Sequence, residues 1–182
     1  MGRAVRAKSV GALLLVCAGA LTGVLGGACA VDVELAFPGS CDTGDNLVLA
    51  DGELGVFNAK TATSLIRYRP DAVVAVLDRE YAGHTTREVL GVPKAVPIVA
   101  SLEEGLAFGP DTLVIGIAPA GGQLPQPWRA IIRGSLEAGL SIVSGLHVFI
   151  SDDPEFAALA RERNLEISDL RRVVERAHQR GR

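Results

Sequence analysis

The chain has 182 residues, 48% of them hydrophobic and 21% charged, which supplies one domain with a true core and excludes a disordered or low-complexity chain. A formal charge of −3 and a pI near 5.6 provide no basic field for gathering phosphates, so no nucleic-acid partner is expected. Cys17, Cys29 and Cys41 all fall in the first quarter without metal-ligand spacing, so neither a disulfide framework nor a metal site is expected.

Arg3, Arg6 and Lys8 precede an uncharged run, residues 9–31, with Leu13, Leu14 and Leu15 near its centre and Ala28-Cys29-Ala30 near its end. Basic residues, then an apolar stretch, then small residues is the order of a secretory signal. The same run is long enough to span a bilayer, although Gly19, Gly23, Gly26 and Gly27 weaken it as a helix. A start codon further downstream is the third reading. Residues 1–30 are thus expected to be signal-like or membrane-like, with export or anchoring as the consequence, or not to be made. Residues 31–45, with Pro38, Gly39 and Gly44, read as a linker.

From residue 46 short apolar runs alternate with helix-length amphipathic segments, the pattern of a parallel sheet covered by helices. Residues 47–50 form the first run. A helix is predicted over 59–68, with Asn58 as its N-cap and Ala62, Leu65 and Ile66 facing inward. The second strand spans 72–77 and ends in Asp78. Thr85 and Glu88 have capping-box spacing for a short helix, and Ser101 and Glu104 repeat it after a third strand at 97–100. The fourth strand, 112–117, leads through IAPAGGQLP to a helix starting at Pro127 with Trp128, Ile131, Ile132 and Leu136 inward, stopped at Gly139. A fifth strand at 140–144, a helix at 154–163 and a short strand at 165–167 follow. The expected fold is α/β and Rossmann-like: a doubly wound, mostly parallel sheet of five or six strands with helices on both faces, over residues 46–172, followed by a basic tail at 173–182.

In such sheets ligands bind where strands end, so the loops at 51–61, 78–86, 118–125 and 144–152 are the places to inspect. In DGELGVFNAKT, Lys60 and Thr61 fall in a helix's first turn, where main-chain N–H groups and the dipole favour an anion; an exposed lysine with no ligand is the equal alternative. The stretch is neither a Walker loop, since Ala59 replaces glycine, nor G-x-G-x-x-G. Asp78 stands where dinucleotide folds place a ribose acceptor, and also where an acid caps a turn. Gly121 and Gly122 allow a ligand or another chain to approach the main chain closely, the reading preferred over a tight crossover into the Trp128 helix. His147 follows Ser144 and Gly145 at the end of the fifth strand, as an acid-base candidate or a structural histidine.

Taken together, LIRYRPDAVVAVLDREYAG, VIGIAPAGGQLP, AGLSIVSGLHVFISDDPEFAALA and the late DLR resemble the amino-terminal Rossmann-like domain of the D-glutamate N-acetyltransferase-like family, long a domain of unknown function. The resemblance implies a Rossmann-like half followed by a P-loop half, with D-amino acids acetylated from acetyl-CoA in the cytoplasm. By position it singles out Lys60, Thr61, Asp78, Gly121, Gly122, Ser144, Gly145 and His147. After Asp169-Leu170-Arg171-Arg172 the family's Pro-rich passage is replaced by Val173-Val174 and the sequence ends before a P-loop half. The expectation is therefore a binding half that is not active alone, taking an acidic amino acid or a nucleotide-containing ligand, and pairing with a separate P-loop chain or a second copy. The alternative is an interaction or homodimerising module without a small-molecule site.

Overall fold

The computed structural model describes residues 45–55, 59–117, 119 and 123–172. The signal-like segment, the linker up to residue 44, the three cysteines, Asn58, Gly121, Gly122 and the basic tail lie outside the described residues.

Six strands, β1 (Asn46–Leu49), β2 (Val73–Leu77), β3 (Ile98–Val99), β4 (Thr112–Ile115), β5 (Ser141–Ser144) and β6 (Ile167–Asp169), form one sheet in the order β3-β2-β1-β4-β5-β6. Every pairing within it is parallel. Parallel strands need crossovers, supplied by α1 (Lys60–Tyr68), α2 (Thr86–Leu90), α3 (Leu102–Leu106), α4 (Gln126–Glu137) and α5 (Pro154–Arg163). This is a doubly wound, Rossmann-like sheet.

Neighbouring strand residues point to opposite faces, and β1 shows both faces covered. A Cβ on Gly105 of α3 would meet the Leu47 side chain at 2.8 Å, and one on Gly134 of α4 would meet Leu102 of α3 at 2.8 Å, so α3 and α4 share the Leu47 face. On the other face Val48 packs beside Ala62 of α1. All four β1 residues are buried, as are all four of β4, which is why these segments read as unbroken apolar runs.

The differences from expectation concern ends. The second strand begins at Val73 because Pro70 to Ala72 form a 3-10 turn, and the fourth stops at Ile115. The third has two residues, since Pro97 has no N–H for the ladder. The last strand lies at Ile167–Asp169 and not at 165–167: Ile142 donates to the carbonyl of Glu166 at 2.8 Å, which sets the register so that Ser168 and Asp169 are buried in the sheet. The Thr85–Glu88 capping box forms in full, whereas Glu104 reaches back to the N–H of Ala100, one residue before its cap, at 3.0 Å. α1 starts from Ala59, whose side chain cannot cap, so the cap expected at 58 falls one residue later.

Candidate functional site at the carboxyl edge of the sheet

β1 and β4 lie side by side, but the chain leaves β1 towards β2 and leaves β4 towards β5. Such a divergence opens a crevice at the carboxyl ends of the two strands, the usual ligand position in open α/β sheets. Gly116 directly follows β4 at this edge. A Cβ there would stand 2.6 Å from the Ala62 Cβ and 2.9 Å from Val48 Cγ1, so only glycine lets α1 pass so close to β4. The Ala62 N–H, third in α1, donates to the Gly116 carbonyl at 2.9 Å. Part of the helix's N-terminal donor capacity is thus spent on the fold. Lys60 and Thr61 are exposed beside it, and the first turn of α1 carries no acidic residue. Thr63, one position on from Ala62, is buried and donates its hydroxyl to the Gly55 carbonyl at 3.2 Å, which ties the helix to the loop leaving β1.

Asp78 is fully buried at the end of β2. One carboxylate oxygen accepts the N–H groups of Glu80 at 3.0 Å and Tyr81 at 3.3 Å, and the other accepts that of Leu54 at 3.2 Å. Of its two sequence readings the turn cap is the geometry present, and it also spans to the loop after β1. Asp51, not singled out from the sequence, makes a second knot. Its Oδ1 accepts from Arg79 Nε at 2.9 Å and Nη2 at 2.6 Å, and its Oδ2 accepts from Trp128 Nε1 at 2.5 Å.

Across the crevice Ser144 is fully buried at the end of β5, and its hydroxyl accepts the Leu146 N–H at 3.2 Å. A Cβ on Gly145 would meet nothing within 4 Å, so this glycine is set by its place in the turn and not by crowding. His147 and Val148 are exposed at the crest of the loop. Its far end is held by Asp169 of β6, which accepts from the N–H groups of Ile150 at 2.9 Å and Ser151 at 3.0 Å and from the Ser151 hydroxyl. Arg172 adds an ion pair to Asp152 at 2.5 Å and lies 4.3 Å from the centre of the Phe149 ring. Asp169 of the late DLR segment and Arg172 directly after it thus form a clamp on the histidine loop.

Beyond this clamp, Arg129 of α4 pairs with Asp153, the N-cap of α5, at 2.6 Å and with Glu155 at 2.7 Å, its guanidinium 4.6 Å over the Phe156 ring. The hydrogen bonds to Asp153 and then Glu155 raise the guanidinium pKa above its ordinary value. In return, the bond from Arg129 holds the Asp153 and Glu155 carboxyls below theirs.

Two hollows flank this edge. One, of about 440 Å³, is lined by residues including Leu54, Tyr81, His84 and Glu88. The other, of about 330 Å³, lies between α3 and α4 with Arg79, Glu103, Pro127 and Ile131 among its walls. Neither is lined by Lys60, Thr61, Asp78, Ser144, Gly145 or His147. Those six share the carboxyl edge of the sheet, the first three on the β1–β2 side and the last three on the β5 side. Sequence reasoning missed Asp51, Arg79 and Trp128. The available signal was Asp51-Gly52 directly after a strand, a pair of turn residues at a ligand-binding edge.

Fold and edge together define a Rossmann-like domain, and comparison with known proteins places it within that class. The family described as a domain of unknown function, the DUF1611_N Rossmann-like domain, matches residues 79–173, just over half of the chain, and the chain belongs to it. It is 34% identical over 113 residues to a D-glutamate N-acetyltransferase of Tritonibacter scottomollicae, covering 62% of this chain and 31% of that protein. It is 37% identical over 71 residues to a D-glutamate N-acetyltransferase of a Pseudoalteromonas species, covering 39% of this chain and 21% of that one. The crystal structure of a DUF1611 family protein from Anabaena variabilis superposes with a TM-score of 0.66 at 38% identity, over 70% of this chain and 37% of its own. The chain therefore spans less than a third of the length of either curated relative.

Proposed function

We propose that this domain binds a small anionic ligand in the crevice between β1 and β4 as the Rossmann-like portion of a D-glutamate N-acetyltransferase-like protein. The observation that carries the reading is the strand order β3-β2-β1-β4-β5-β6, whose reversal between β1 and β4 falls where Lys60, Thr61 and Gly116 meet. The similarity to relatives named for acetylation of D-glutamate supports acetyl-CoA and an acidic amino acid as the ligand classes.

The donor set fits such a ligand. The Lys60 ammonium and the Thr61 hydroxyl are exposed at the start of a nine-residue helix with no acid in its first turn, a suitable grip for phosphate or carboxylate. Acetyl-CoA, when bound, supplies an acetyl thioester open to attack by an amine. The part of this chain is to hold and orient: Lys60 and Thr61 at the anion, Gly116 by letting α1 lie close against β4, and the Ser144–Asp152 loop by presenting His147 from the opposite side.

The test is calorimetric titration and thermal unfolding of the full 182-residue chain with acetyl-CoA, D-glutamate and NADP as probes. A ligand at one hundred times its Kd adds about 2.7 kcal/mol to stability. We expect a shift with acetyl-CoA or D-glutamate that is lost in Lys60→Ala. A folded chain that responds to neither acetyl-CoA nor D-glutamate, whether or not it takes NADP, refutes the reading.

A further inference from the structure

We infer that Asp51 is the positioning residue of this crevice, the group that fixes the β4–α4 side at its working distance from β1. The inference rests on the ligand reading above and deepens it.

Three observations carry it. Asp51 sits directly after β1 with φ of 41°, in the left-handed region, ahead of Gly52 at 85°. An L-residue there stores strain, and such strain persists only where the surroundings enforce it. Next, its side chain is only 10% exposed, so a carboxylate is held largely out of water on a strained backbone. Finally, the three donors on it come from two other parts of the edge: Arg79 Nε and Nη2 from the loop after β2, and Trp128 Nε1 from the first turn of α4.

The contact with Trp128 is the informative one. Trp128 is 3% exposed and already packs in the core, so apolar contact alone would keep α4 on the sheet. The Arg79 side of the ion pair is 63% exposed, and such pairs contribute only about 0–1 kcal/mol, so stability alone does not call for Asp51. What its carboxylate adds is direction. Apolar contacts tolerate sliding, whereas a hydrogen bond to a carboxylate fixes one atom against another. The main-chain N–H of Trp128 donates to the Pro125 carbonyl at 3.0 Å, so fixing Trp128 also holds Pro125, the residue before α4. Both oxygens of Asp51 are engaged by protein donors, so it acts on a ligand through Trp128 and Arg79 and not by contact.

The experiment compares wild type, Asp51→Asn and Trp128→Phe, each as the full chain, by calorimetric titration with acetyl-CoA and with D-glutamate and by urea unfolding. Asparagine keeps the shape and the left-handed tolerance but replaces one acceptor by a donor. Phenylalanine keeps an aromatic ring and removes the N–H together with part of the buried ring volume, which the urea midpoint reads separately. We expect Asp51→Asn to lose at least tenfold in probe affinity, about 1.4 kcal/mol, with an unchanged urea midpoint. Trp128→Phe is expected to lose at least threefold. If both variants bind as wild type does, the inference falls and the ligand reading stands. Affinity lost only in step with stability marks Asp51 as structural and overturns the inference. If Asp51→Asn does not fold, Trp128→Phe decides by the same criteria. If wild type binds neither probe, the ligand reading fails and the inference fails with it.

Discussion

The two sides of the carboxyl edge use one device in two ways. At the end of β2 and again at the end of β6 a buried aspartate collects N–H groups from an adjoining loop. Asp78 takes main-chain donors only, two from its own turn and one from Leu54 on the neighbouring loop. Asp169 takes two main-chain donors and a hydroxyl, all from the loop after β5, and Arg172 braces the same loop. The first ties two loops together, and the second clamps the end of one. Perturbation should therefore spread across the β1–β2 side and stay confined on the β5–β6 side.

The largest effect is expected from Asp78→Ala. It deprives three N–H groups of the carboxylate they share, a group that is itself fully buried. Leaving a buried donor unsatisfied costs about 1–3 kcal/mol, and with relaxation of the turn we expect a total of about 3 kcal/mol by urea unfolding. Hydrogen exchange should rise at Leu54 as well as at Glu80 and Tyr81. Asp169→Ala comes next, at about 2 kcal/mol, because the half-buried Ser151 can turn to solvent and Arg172 still holds Asp152. Its faster exchange should be confined to Ile150 and Ser151. Equal costs with equal spread would erase the distinction between the two sides.

A smaller, pH-dependent effect separates these anchors from the ion pairs of α4 and α5. The hydrogen bond from Arg129 holds the Asp153 carboxyl below its ordinary value. A carboxyl whose folded pKa is depressed stabilises the fold fully above its unfolded pKa, about 3.9, and loses that contribution as pH falls through the folded value. Wild type should thus exceed Asp153→Asn in stability at neutral pH, and the gap should close below about pH 4. Unfolding curves of the two proteins from neutral to acid pH check this. A gap that widened in acid would reverse the sign and contradict the pairing.

What could be read in advance follows from which interactions are local. The buried runs of β1, β2, β4 and β5, the capping box at Thr85 and Glu88, and α5 from Pro154 to Arg163 depend on residues within one or two turns, and they were legible. β6 was placed two residues early because its buried half is Ser168 and Asp169, whose burial is justified only by the loop they bind. Asp51 and Trp128 lie 77 positions apart, so nothing in the local pattern of either announces the other. Among the residues picked for a ligand, position along the edge was legible for Lys60, Thr61, Ser144, Gly145 and His147. The engagement of Asp78 with Leu54 was not, since it depends on how the loop leaving β1 folds back over β2.

The smallest expected effect tests the clamp from its free end. His147 is exposed, while the loop that carries it is fixed on one flank by the Ser144 hydroxyl bond to Leu146 and on the other by Asp169 and Arg172. Stability resides in the flanks, so the imidazole at the crest is not part of it. His147→Ala should change unfolding free energy by no more than about 0.5 kcal/mol, the usual range for surface positions. A crest held rigid at no cost to its own side chain is a suitable mount for a group that faces a ligand, because its position is settled before anything binds. The discriminating result is therefore a pair of measurements on one variant: an unaltered urea midpoint together with weakened binding of acetyl-CoA or D-glutamate. A loss of more than about 1 kcal/mol in stability would show that the ring packs into the fold, and the two-ended clamp would then have to include it as a third hold.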